Sequence, residues 1–150
     1  MGVRPARPDE HAQLTDLALR SKAHWGYSED FMAACVDELT LTPALITERM
    51  ILLLEDESGR ILGMGGLAWD EGVLEVCDMF VEPAHIGKGA GKVIFQALVE
   101  AARKTGASGL RIDADPNALP FYLKMGARQT GSAPSGSIAG RRIPRLILDL

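Results

Sequence analysis

Apolar residues recur along this chain with two periods. Between Met50 and Val81 they fall in three runs, Met50 to Glu55, Ile61 to Trp69 and Val73 to Val81, broken by the polar stretches "DESGR" and "DEG". That pattern predicts three strands joined by tight turns, a meander. From about Gly89 to Thr105 the spacing changes. Val93, Ile94, Ala97, Leu98, Ala101 and Ala102 share one face, Lys92, Gln96, Glu100 and Arg103 the other, and Gly106 stops the run, which predicts an amphipathic helix. Upstream, "VRPA" (Val3 to Ala6) reads as a short edge strand. Asp9 is positioned to cap a helix with Leu14, Leu17 and Ala18 on one face, and Ser28 to open a second with Glu29 and Asp30 in its first turn. Phe31, Met32, Cys35, Val36 and Leu39 would be the buried stripe of that second helix. Downstream, "LRIDA" (Leu110 to Ala114) reads as a strand and "NALPFYLKMG" as a short helix ending at Gly126. Two last strands, near Ala127 to Gly131 and Ile143 to Leu150, flank a loop rich in Gly, Ser and Arg. The order is mixed α/β with one β-α-β crossover in its second half. With no repeat or boundary visible, residues 1–150 read as a single domain.

Composition narrows the class. A length of 150 residues, 47% hydrophobic and 24% charged, suits one globular domain with a proper core. The net charge of −4 gives no reason to expect nucleic acid or an acidic membrane as partner. Cys35 and Cys77 form no CxxC pair and read as buried free thiols rather than a disulfide or a zinc site. No stretch is long enough for a membrane span, and "MGVRPARPDEH" lacks an apolar signal core, so a cytoplasmic protein is expected.

The stretch "VEPAHIGKGAGKVIFQALVEAARK" (Val81 to Lys104) carries the chemistry. Each glycine costs a helix roughly 1 kcal/mol against alanine, so Gly87, Gly89 and Gly91 at a helix start need a reason. Unpaired amides at a helix N-terminus favour an anion, and glycine lets a phosphate reach the backbone. Lys88 and Lys92 stand ready to neutralise it. Two phosphate motifs fail: a Walker A loop would need Gly at Ile86 and Ser or Thr at Val93, and a dinucleotide GxGxxG would need Gly at Lys92 or at Ile94.

"VEPAHIGKGAG" resembles the acetyl-CoA signature of the GNAT N-acetyltransferase superfamily, and "DPNALPFYLKMGA" is similar to that family's later motif, in the right order. Ile86 stands where the family usually has Arg or Gln. The resemblance implies a GNAT fold: a mixed, mostly antiparallel sheet of about six to seven strands flanked by about four helices. It implies acetyl-CoA as co-substrate, without a metal. Backbone groups from Ile86 to Lys92, Ala90 included, would hold the pyrophosphate. Met79, Phe80 and Val81 would pair with the pantetheine arm as an added strand does. Asn117 would touch the same arm, and Lys124 would meet the adenosine-side phosphate. Tyr122 matches the family's acid, which protonates the departing sulfur.

Acetyl transfer also needs a neutral amine. A lysine-like amine of pKa about 10.4 is neutral about one time in a thousand or less at pH 7, a deficit a carboxylate can relieve. The apolar run "EVCDMFV" carries two, Glu75 and Asp78. Period two puts Glu75 with Cys77, Met79 and Val81, and Asp78 with Val76 and Phe80, on opposite faces unless a bulge intervenes. Asp78, nearer the cofactor end, is preferred as base and Glu75 is the alternative. In "SKAHWGYSED", Trp25 and Tyr27 read as substrate-facing, since this region walls the acceptor pocket in the family, and His24 is a further acid–base candidate. In "SAPSGSIAGRRIPRL", Ser135, Ser137, Arg141 and Arg142 could close over the pocket and clamp an acidic acceptor. The expected function is transfer of an acetyl group to a primary amine of a small molecule by direct attack in a ternary complex. The alternatives are a protein or peptide N-acetyltransferase and a non-catalytic acyl-CoA sensor. A homodimer through the last strands is a family-based expectation.

Overall fold

The structure is a computed structural model describing residues 1–150. In chain order the elements are β1 (Gly2–Pro5), α1 (His11–Ala23), α2 (Glu29–Leu39), α3 (Pro43–Glu48), β2 (Met50–Glu55), β3 (Ile61–Asp70), β4 (Val73–Val81), α4 (Ala90–Lys104), β5 (Gly109–Asp113), α5 (Leu119–Lys124), β6 (Arg128–Pro134) and β7 (Arg142–Asp149). Short 3₁₀ turns sit at Pro8–Glu10, Pro83–His85 and Pro116–Ala118. The strands form one seven-stranded sheet in the order β1-β2-β3-β4-β5-β7-β6. All neighbours are antiparallel except β4 and β5, which α4 connects as a parallel crossover. The meander, the edge strand and the single crossover expected from the apolar periods are all present. The sheet has the upper expected number of strands, and there are five helices.

The additional helix is α3. Thr42 caps it, its hydroxyl accepting from the Leu45 amide at 3.2 Å, and Pro43 follows in its first turn. Threonine then proline is a helix-start signal, but six residues are too few to display a 3.6 period. At α2, Ser28 caps as expected, its hydroxyl accepting from the Phe31 amide at 3.1 Å. At the start of α1 Glu10, not Asp9, holds the cap position, and its carboxylate bonds no amide of the helix; it accepts instead from the Arg7 amide at 2.8 Å and from Arg4 at 2.8 and 2.9 Å. Asp9 stays on the surface beside Arg7.

Each face of the sheet carries a core. On one, α4 buries Ile94, Phe95, Leu98, Val99 and Ala102 against Leu54, Leu67, Leu110, Ile112 and Leu146, with Tyr122 added from α5. On the other, Leu14, Leu17 and Ala18 of α1 and Cys35 and Leu39 of α2 pack on Ile51, Leu53 and Met64. Val36, expected in the α2 stripe, is 41% exposed, because one step beyond Cys35 turns it about 100° away from the Cys35–Leu39 line. Gly65 of β3 lets α4 lie close, since a β-carbon there would stand 2.8 Å from both Ile94 and Leu98. No helix is long and apolar enough to cross a membrane.

The sheet is interrupted at one place. β4 meets β5 at a single register position, Glu75 opposite Arg111. Beyond it β4 continues to Val81 and β5 to Asp113 without pairing. A wedge therefore opens between the C-terminal ends of two neighbouring parallel strands, a common place for ligands in α/β sheets.

Candidate active site

The wedge begins at a bulge. Gly66 pairs with Cys77 and Met64 with Phe80, so two steps along β3 match three along β4. Asp78 absorbs the extra residue with a φ of +53°, a conformation costing a non-glycine residue about 1–2 kcal/mol. Arg49, at the end of α3, donates to the Asp78 carboxylate at 2.7 Å, and the Asp78 side chain is only 7% exposed. Burial disfavours the Arg49 charge, but the nearby Asp78 more than restores it, with smaller contributions from Cys77 and Glu75. Burial also pushes the Cys77 thiol up, and Asp78 and Glu75 add to the effect. The two carboxylates therefore share one neighbourhood, because the bulge cancels the parity that would place them on opposite faces. Glu75 is held by Arg111 at 2.7 Å, and the same guanidinium nitrogen donates to Asp70 at 2.8 Å.

Phe80 and Val81 pair with Met64 and Gly63 of β3, Met79 follows directly on the bulge, and none of the three has a strand on the other side. After Val81 the chain makes the turn Pro83–His85 and reaches α4 through Gly87 and Gly89, with φ of +78° and +90°. Only glycine adopts these angles without strain, and a β-carbon on either would meet nothing within 4 Å. The backbone is bared on that side. The Ile86 amide is spent on Pro83 and the Lys88 amide on His85, both at 3.3 Å. The amides of Gly87, Gly89, Ala90, Gly91 and Lys92 donate to no protein acceptor, and the Gly89 carbonyl takes the Val93 amide. A row of unspent donors at the positive end of a helix such as α4 is the arrangement that suits an anion. The row is narrower than the expected span from Ile86 to Lys92, since two donors inside that span face inward. The side chains of Lys88 and Lys92 are exposed beside it. Gly91 has its own constraint, as a β-carbon there would touch the Phe121 ring at 3.4 Å.

Tyr122, on α5, is 4% exposed and packs edge-on against Phe95 and Phe121 with ring centroids 5.5 and 5.1 Å away. Burial alone pushes its phenol up, so the hydroxyl stays protonated. Arg111 Nε is the one fully enclosed side-chain nitrogen or oxygen without a partner. The Tyr122 hydroxyl, which no protein group bonds, therefore reaches accessible surface. Lys124, on the same helix, is exposed.

A polar cluster joins three loops beside the wedge. Tyr27 donates to Asp115 at 2.7 Å and accepts from Asn117 at 3.0 Å and from Arg141 at 3.1 Å. Lys22 donates to the same Asp115 carboxylate at 2.6 Å. Burial pushes Asp115 up, but the bonds from Lys22, the Asn117 amide and Tyr27 outweigh it and hold the carboxyl below its usual value. The Tyr27 phenol is raised by burial and by its bond to Asp115. Its ring stacks on Phe31 at 4.0 Å, and the Arg141 guanidinium lies 4.9 Å from the Phe31 centroid. Ser137 bonds Glu38 on α2, pinning the β6–β7 loop to the helical face. Tyr27, Asn117, Ser137 and Arg141 are thus brought to one region. His24 and Trp25 stack edge-on at 5.1 Å and stay exposed, Trp25 at 42%. Arg142, expected with Arg141, instead spans the β6–β7 hairpin to Ser132 at 2.7 Å. Sequence reading missed Lys22, Arg49, Arg111 and Asp115, whose ion-pair partners lie far away along the chain, and it placed Phe31 only in the stripe of α2. Only Asp115 had a local signal, an Asx-type cap before Pro116-Asn117 in which its carboxylate accepts from the Asn117 amide at 2.8 Å.

Comparison with known proteins gives a consistent result. A family model described as Acetyltransferase (GNAT) domain matches residues 11–136. The "Uncharacterized N-acetyltransferase YjcF" of Bacillus subtilis (strain 168) is 35% identical over 83 residues, covering 50% of this chain and 59% of that protein. The chain spans about half the length of the curated relatives it matches. Among solved structures, a GCN5-related N-acetyltransferase from Rhodopseudomonas palustris superposes with a TM-score of 0.82 at 22% identity, covering 99% of this chain and 95% of that one. The PaiA N-acetyltransferase of Thermoplasma acidophilum, solved in complex with coenzyme A, superposes at 0.80 with 16% identity, covering 99% and 98%. At these identities the likeness concerns the fold.

Proposed function

This chain belongs to the GNAT acetyltransferase family, and from that premise we propose that it transfers an acetyl group from acetyl-CoA to a primary amine of a small molecule by direct attack in a ternary complex. The observation that carries this reading is the row of unspent amides at Gly87, Gly89, Ala90, Gly91 and Lys92. It fits a diphosphate, and the curated relative named an N-acetyltransferase and the neighbour solved with coenzyme A favour that of CoA. The unpaired edge of Met79–Val81 suits the pantetheine arm, which can add as a strand. The arm then runs toward Asn117 and Tyr122. Bound there, acetyl-CoA supplies the activated acyl group.

The chain's residues do the rest. Tyr122, kept protonated by burial, donates a hydrogen bond to the departing sulfur. A phenol near pKa 10 is a weaker acid than a thiol near 8.5, so it works as a donor to developing charge more than by complete transfer. Glu75 takes the amine proton, directly or through water. Both carboxylates are paired with an arginine, but the Asp78 side chain is only 7% exposed at the bulge, whereas that of Glu75 is 28% exposed at the apex of the wedge. We thus prefer Glu75 to Asp78, the reverse of the order expected from the sequence. The pinned β6–β7 loop favours a small acceptor over a polypeptide.

The test pairs turnover with binding. Purified protein should release CoA thiol from acetyl-CoA when an amine panel is added, and acetyl-CoA at a hundredfold excess over its Kd should stabilise the fold by about 2.7 kcal/mol. ATP and NAD should not. Stabilisation without release by any amine would instead support an acyl-CoA sensor.

A further inference from the structure

The cluster around Asp115 is unbalanced in charge and in hydrogen bonds. Two cations, Lys22 and Arg141, face one carboxylate, Asp115, at 2.6 and 3.9 Å. Lys22 spends one donor, on Asp115. Arg141 spends Nη2 on the Tyr27 hydroxyl, while its Nε and Nη1 have no protein acceptor and are not enclosed. Both cations are held still: Lys22 lies 5.3 Å from the Tyr27 centroid, and the Arg141 guanidinium is 5.4 Å from the Tyr27 centroid and 4.9 Å from that of Phe31. Their side chains keep only 15% and 21% of their exposure. A guanidinium fixed against a ring presents its donors in a plane, which matches a carboxylate. Asn117, whose side-chain amide bonds both Tyr27 and Asp115, places this surplus beside the path assigned to the thioester arm.

We propose that Arg141, seconded by Lys22, binds a carboxylate of the acceptor, so that the acceptor is an amino carboxylate such as a free amino acid. This rests on the acetyltransferase reading above. The amine of such a molecule points into the wedge while its carboxylate stays at the roof. Asp115 acts as a positioning residue that keeps both cations and Tyr27 in place.

Two arms test this on the intact chain. In the first, amino acids and their C-terminal amides are compared as acceptors by CoA release. The carboxylate member of each pair should have at least a tenfold higher kcat/KM, and Arg141→Met should erase that preference by raising KM, with partial recovery in Arg141→Lys. Amides equal to or better than the acids would overturn the proposal. The second arm needs no turnover. Thermal stabilisation of the CoA-bound protein by N-acetyl amino acids should exceed that by N-acetyl amino acid amides, and equal stabilisation would overturn the proposal. If no amine is acetylated yet the N-acetyl acids still bind preferentially, the enzymatic reading fails while the clamp stands.

Discussion

The phenol of Tyr122 is enclosed by Phe95 and Phe121 yet keeps an unbonded hydroxyl. A purely structural tyrosine in a core would normally bond its oxygen. Tyr122→Phe should therefore cost little stability and leave acetyl-CoA affinity intact while lowering kcat at least tenfold, about 1.4 kcal/mol of barrier. Unchanged kcat in a steady-state assay would remove Tyr122 from the chemistry. In the same assay Glu75→Gln should lose more activity than Asp78→Asn, and the reverse order would return the base to Asp78. Away from the site, Arg4 holds Glu10 well below the ordinary carboxylate range, at about 2 against 4.5, with help from the Arg7 amide. A depressed carboxyl contributes stability above its unfolded value and loses it as pH falls through its folded value. Thermal unfolding should thus lose this contribution between about pH 4.5 and pH 2, and Glu10→Gln should show a shallower acid loss. Parallel curves for the two proteins would contradict the assignment.

The wedge and the glycine turn act as elements. Arg49, Asp78 and the bulge in β4 set where the strand leaves β5, and the turn through Gly87 and Gly89 sets where α4 begins. Gly89→Ala would place an alanine at a φ of +90°, at a cost of about 1–2 kcal/mol, and should weaken CoA binding several-fold by tilting the amides away. Gly131→Ala, where φ is not positive and a β-carbon meets nothing, is the control and should be near neutral. Titration calorimetry and denaturant unfolding on both variants check this, and equal CoA affinity in the Gly89 variant and wild type would count against the cradle. At this scale the sequence was informative wherever a period or a local motif existed. The meander, α4 and the Ser28 cap were legible from spacing and composition. The β4 bulge was not, because it consists of one residue whose conformation depends on Arg49, 29 positions earlier. The helix at Pro43–Glu48 was missed because its only signals are the Thr42 cap and Pro43.

Across the whole molecule, two cores hold the sheet from opposite sides, and the sheet is left open where β4 and β5 part. The glycine turn closes one end of that opening, and the cluster of Lys22, Tyr27, Asp115 and Arg141 lies at its side. The first was readable from the chain because its residues are contiguous. The second joins residues up to 114 positions apart, so Tyr27, Asn117 and Arg141 could be named singly but their meeting could not. The central claim is that the unspent amides of the turn hold the diphosphate of CoA. The most direct measurement is a backbone ¹H–¹⁵N NMR titration with CoA. The amides of Gly87, Gly89, Ala90, Gly91 and Lys92 should show the largest downfield shifts, with smaller changes at Ile86 and Lys88, whose amides are already bonded within the turn. Binding that leaves those amides unmoved, with the dominant shifts elsewhere on the sheet, would contradict the account.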